Sequence, residues 1–168
     1  ENWKNFPDMF RPGEEVIVLA PYFVEYVYYI DNHGGAAVVV PTSADFQPDL
    51  AAIAAAINPK TRAVIINSPN NPSGVVYPAA RLRDIGNLLG QKQDENGSEI
   101  FIISDEPYRR IIYDGLTYPQ VFPHYQNTVV VHSHAKDLAL PGERIGYIAV
   151  NPSYPHREEL VNGFTFCN

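Results

Sequence analysis

Three short segments carry groups able to do chemistry. Lys136 follows the strand-forming run NTVVVH (127–132) and precedes the apolar loop LALPG (138–142), with Arg144 eight positions on. An ammonium ordinarily keeps its head in water. Where burial or nearby cations disfavour the charge, a lysine becomes a nucleophile and proton carrier. DEPYRR (105–110) places Asp105 and Tyr108 after EIFIIS (99–104), and SPNNPSG (68–74) places Asn71 after RAVIIN (62–67). Plain structural roles compete. Asp105 could cap a helix starting near Glu106 and Pro107, although a bare carboxylate at a core edge is costly without a partner. SPNNPSG is rich in turn formers. Lys136 could snorkel, and Arg144 could pair on the surface with Glu143 or Asp137. His132 and His134, two apart with no third ligand, read as packing residues, so no metal is expected.

The elements that must position these groups alternate along the chain. EVIVLA (15–20), AAVVVP (36–41), RAVIIN, EIFIIS, NTVVVH and GYIAV (146–150) read as strands. FVEYVYYIDNHGG (23–35) reads as a helix ended by Gly34 and Gly35. PDLAAIAAAI (48–57) reads as a helix with Pro48 in its first turn, and residues 79–90 as another, ended by Gly90 before a solvated loop, QKQDENGS (91–98). Continuous apolar strands separated by helices predict an α/β architecture: a mainly parallel sheet flanked by helices. In such sheets ligands collect at the carboxyl ends of the strands, where the three segments fall.

Composition narrows the function. The chain has 168 residues and a formal net charge of −7, which disfavours a nucleic-acid partner. No apolar run is long enough to cross a bilayer, so no membrane partner is expected. The single Cys167 excludes an internal disulfide and fits a reducing, cytoplasmic setting. Residues 1–12 show neither a helical stripe nor a strand, and GFTFCN (163–168) has no cap or polar tail, so a piece of a longer protein is expected.

Taken together, the strand-end groups meet one set of requirements. A lysine, a buried carboxylate, a phenol with an amide, and a serine with an arginine match what pyridoxal phosphate needs: an imine-forming amine, a partner for the pyridinium, donors to the ring oxygen and a phosphate anchor. NSPNNPSG (67–74), SDEPYRRIIYD (104–114) and SHAKDLALPGERIGY (133–147) resemble, in order and spacing, three signature segments of the class I/II aminotransferases, pyridoxal-phosphate enzymes of the aspartate aminotransferase fold. PGEEVIVLAPYFVEY (12–26) resembles the segment that precedes them, and the likeness runs from about Pro12 to Gly163.

The resemblance implies roles by position. Lys136 matches the lysine that binds the cofactor and moves the proton at Cα, which calls for a water-excluded site. Asp105 matches the partner of the pyridine nitrogen, Tyr108 and Asn71 the donors to the ring oxygen, and Ser133 and Arg144 phosphate ligands. Phe23 matches the stacking aromatic, with Tyr22 as competitor. Ala135 stands where many relatives carry a small hydroxyl residue. The family's phosphate-cradling glycine segment and its small domain, with the arginine that grips the substrate carboxylate, have no counterpart here. The resemblance thus implies that residues 1–168 form one partial cofactor-binding large domain, truncated at both ends and inactive alone. The complete protein would be a homodimer acting on an amino acid and a 2-oxo acid. A pyridoxal-phosphate lyase or synthase, or a non-catalytic pyridoxal-phosphate-binding effector domain of a regulator, would share the same site.

Overall fold

A computed structural model describes residues 11–167, without the side chain of Cys167. The irregular start expected over residues 1–12 falls mostly outside them. Six strands form one sheet: β1 Glu15–Ala20, β2 Ala36–Pro41, β3 Thr61–Asn67, β4 Phe101–Asp105, β5 Thr128–Ser133 and β6 Gly146–Val150. Their order is β2-β1-β3-β4-β5-β6, with β6 alone antiparallel to its neighbour. The expected mainly parallel α/β sheet is the one observed.

Burial on both faces explains the continuous apolar runs. Along β1, Ile17 and Leu19 pack on one side with Ile53, Leu82, Ile85 and Leu89. Val16 and Val18 pack on the other with Tyr26, Ile30, Tyr154 and Leu160. Side chains alternate across a strand, so both sets must be apolar. The helices supplying these faces are α1 Glu25–Asn32, α2 Leu50–Ala56, α3 Ala79–Asn96 and α5 Arg157–Cys167, and a single turn, α4 His134–Asp137, follows β5.

Three local expectations need correction. In α2, Asp49 is the cap, accepting from the amides of Ala51 and Ala52 at 2.9 and 3.1 Å, so Pro48 precedes the helix rather than sitting in its first turn. Helix α3 does not stop at Gly90 but runs through the supposed loop to Asn96. Gly90 has open space beside it, and a mid-helix glycine costs only about 1 kcal/mol. Beyond it, Glu95 accepts from Gln91 and Lys92, both at 2.7 Å. Gln93 accepts from Asn127 at 2.8 Å, tying the helix to the sheet. The stop is Gly97, with φ +65°. Helix α5 was not expected, because REELVNGFTFC mixes polar and apolar residues without a clean stripe.

Candidate functional site

The sheet order makes the carboxyl ends of β1, β3, β4 and β5 neighbours. The chain steps outward from β1 to β2 and then returns to place β3 on the other side of β1, and a crevice forms where order reverses in this way. Hydrogen bonds lash the strand-end loops together. Asn70 donates to the Pro21 carbonyl at 3.3 Å, joining the loops after β1 and β3. Asn67 donates to the Asp105 carbonyl at 2.9 Å, and its own side-chain oxygen accepts from the Asn71 amide at 2.6 Å. The Glu106 amide donates to the Val131 carbonyl at 2.9 Å, joining β4 to β5. The three sequence segments therefore share one rim.

Asp105 is the last residue of β4, and residues 107–110 form turns rather than a helix, so the capping role is excluded. The Tyr26 hydroxyl of α1 donates to its carboxylate. Burial pushes the Asp105 carboxyl above the usual range, while the bond from Tyr26 opposes that rise. Tyr108, in the turn that directly follows β4, is pushed up by burial and by the Asp105 charge. Phe23 is half-buried and meets Tyr26 edge-on, with ring centroids 5.7 Å apart. Tyr26 was missed in the sequence. Its only signal was the spacing of three from Phe23, which puts both on one side of a helical turn. Glu106, next to Asp105, is buried elsewhere, accepting from the Ser104 hydroxyl at 2.9 Å. The strand thus separates the adjacent acids, and only Asp105 faces Tyr26.

A stability prediction follows. A carboxyl raised by folding stabilises the fold below its ordinary range and loses that contribution as pH rises through the raised value. Asp105→Asn keeps an acceptor for Tyr26 and removes the buried charge. Its thermal midpoint at pH 7 should exceed that of the parent chain by about 2–4 °C, the response of a domain this size to about 1 kcal/mol. The difference should shrink toward zero as pH falls through the ordinary aspartate range. Melting curves across that range check it.

The lysine side differs from the sequence expectation. Lys136 is exposed, and its ammonium makes no hydrogen bond or ion pair among the described residues. The cause is local: β5 ends at Ser133, α4 carries Lys136 past the strand end, and residues 138–146 are exposed and pack nothing over it. Ser133 caps α4, its hydroxyl oxygen accepting from the Ala135 amide at 3.2 Å. Arg144 is exposed, has φ +53°, and donates to the Pro141 carbonyl at 3.3 Å. Among the described residues no hydrogen bond joins it to Ser133, and neither Glu143 nor Asp137 forms an ion pair with it; Asp137 instead faces Arg110. The structure therefore groups Phe23, Tyr26, Asn71, Asp105 and Tyr108 on one rim and sets Lys136 on the neighbouring strand end. It does not join Ser133 and Arg144 as a phosphate clamp. A third potential donor, judged missing beside His132 and His134, is present in Asp137, whose carboxylate lies within 4.8 Å of both ring nitrogens.

Comparison with known proteins gives a consistent picture. The family model described as aminotransferase class I and II matches residues 1–165. The chain is 37% identical over 144 residues to the aspartate/prephenate aminotransferase of Thermus thermophilus, covering 84% of this chain and 36% of that protein. It is 35% identical over 169 residues to the aspartate aminotransferase of Thermotoga maritima, covering 94% and 43%. Among solved structures, an aminotransferase from Eubacterium rectale superposes with a TM-score of 0.88 at 46% identity, over 91% of this chain and 39% of that one. Thermus thermophilus aspartate aminotransferase with maleate superposes with a TM-score of 0.77 at 34% identity, over 96% and 41%. The chain spans about two fifths of the length of these relatives.

Proposed function

The chain belongs to the class I and II aminotransferase family, and from that premise we propose that it forms part of the cofactor-binding large domain of a pyridoxal-phosphate-dependent aminotransferase. The whole protein would transfer an amino group between an amino acid and a 2-oxo acid. The observation that carries this reading is Asp105: a half-buried carboxylate at the crevice of a parallel sheet, held by a tyrosine, with a second phenol beside it and a lysine on the next strand end.

These residues fit the cofactor. Asp105 offers one acceptor in a low-dielectric setting, suited to keeping a pyridine nitrogen protonated. Tyr108 and Asn71 offer donors on the same rim, and the half-buried ring of Phe23 offers an apolar face. Lys136, with no partner of its own among the described residues, is free to attach the cofactor and then to take and return a proton at Cα. When bound, pyridoxal phosphate supplies an aldehyde that captures amines and a ring that accepts the electron pair left at Cα. The chain's part is to bind, orient and move that proton. Tyr26 fixes the Asp105 carboxylate, and the Asn67 bridge fixes its backbone, so neither must reorganise during the reaction. Ser133 and Arg144 belong to the proposal as phosphate ligands through their place in the motif alone. A cytoplasmic location and a homodimer of the complete protein complete it.

The test is an assay of the full-length protein with a panel of amino acids and 2-oxoglutarate. Amino-group transfer with parallel-line, ping-pong kinetics is expected. Release of ammonia or carbon dioxide without transfer would instead identify a lyase, and cofactor binding without turnover an effector module.

A further inference from the structure

Asp137, immediately after Lys136, has a side chain with no solvent contact. Three groups converge on it, two histidines from the adjoining residues and one arginine from the loop after β4. His132 at the end of β5 approaches one carboxylate oxygen through Nε2 at 3.1 Å, and Arg110 approaches the same oxygen through Nε at 3.7 Å. His134 approaches the other through Nδ1 at 3.2 Å. His132 is itself fixed. Its Nδ1 lies 2.8 Å from the Glu106 carbonyl, and its ring stacks on Tyr147 at 5.0 Å. With both ring protons present, each of its nitrogens donates to an oxygen.

This cluster answers a mechanical problem. Helix α4 has four residues, and one helical turn does not hold itself. Its start is held by the Ser133 cap at 3.2 Å, and its end by Asp137. Lys136 lies between these two anchors. We propose that Asp137 is a positioning residue for Lys136: its buried carboxylate locks α4 onto His132, His134 and Arg110, and so aims the lysine at the crevice where Asp105 lies. Burial pushes the Asp137 carboxyl up, but the hydrogen bonds and charges of His134 and His132 outweigh it and hold it below the usual range.

The proposal rests on the cofactor reading, and its test separates the two. The 168-residue chain is incubated with pyridoxal phosphate and reduced with borohydride, and the adducts are mapped, with Lys60 as an exposed internal reference. Asp137→Ala should lower the Lys136-to-Lys60 adduct ratio roughly tenfold or more, because a misplaced amine loses its advantage over a surface lysine. Asp137→Asn, which keeps an acceptor but no charge, should fall between. It also carries the test if the alanine variant fails to fold, which circular dichroism reports. A parent-like ratio in a folded variant overturns the positioning role. Binding of one equivalent of zinc through His132 and His134, lost in Asp137→Asn, also overturns it, since the cluster would then be a metal centre. Absence of any Lys136 adduct in the parent chain overturns the cofactor reading instead.

Discussion

Replacing Asp105 with alanine in the full-length protein should slow the proposed amino-group transfer by about two orders of magnitude or more. Losing a buried charge-assisted hydrogen bond costs about 3 kcal/mol, and each 1.4 kcal/mol is a factor of ten in rate. The loss should fall on kcat, because the proposed contact of Asp105 with a pyridine nitrogen would matter most in the transition state. The same substitution leaves the Tyr26 hydroxyl without its acceptor, so a smaller loss of stability accompanies it. Asp105→Glu, which keeps the charge, is milder in rate. Steady-state kinetics of the two variants checks this. Near-normal turnover by Asp105→Ala would reduce Asp105 to a structural group. The contrast with Asp105→Asn is informative, since that variant gains stability at neutral pH while losing the charge. A charge whose removal by an isosteric amide stabilises the fold but slows the reaction is one retained for chemistry.

Substitution of Lys136 has the largest effect. Lys136→Ala would remove both the amine proposed to attach the cofactor and the group proposed to shuttle the proton at Cα, and general acid–base catalysis alone accounts for roughly 10²–10⁴ in rate. Lys136→Arg is the sharper control. Arginine keeps the positive charge but neither condenses with an aldehyde nor gives up its proton near neutral pH. Both variants should therefore lose activity to a similar extent, at least about a thousandfold. An arginine variant with substantial turnover would show that Lys136 contributes charge rather than proton transfer.

The fold was legible where burial left a strong pattern. Strands β1, β2 and β6 match their sequence limits, and β3, β4 and β5 differ by one or two residues, because side chains buried on both faces leave uninterrupted apolar runs. Helix α3 was read short because Gly90 and the polar run after it mimic a helix end, while the bonds that continue the helix involve Asn127, far along the chain. The rim of the site was half legible. Asp105, Tyr108 and Asn71 followed from strand-end placement and motif, but Tyr26 contacts a residue 79 positions away, which no local pattern announces. Lys136 was expected out of water because the resemblance gives it a role at a dry strand end, yet Leu138 and Leu140 beside it are themselves exposed. Hydrophobic residue types near a lysine do not bury it unless some element packs over them. Asp137 was passed over as a surface charge, because the nearby His132 and His134 read as packing residues and Arg110, in the loop after β4, meets it only in three dimensions.

The account turns on Lys136 as the amine that takes the cofactor, and peptide mapping of the wild-type 168-residue chain after pyridoxal phosphate and borohydride treatment tests that most directly. The predicted result is a pyridoxyl group concentrated on the peptide containing Lys136, saturating at one per chain and abolished by Lys136→Ala. Label spread over Lys60 and Lys92 with none on Lys136 would contradict it.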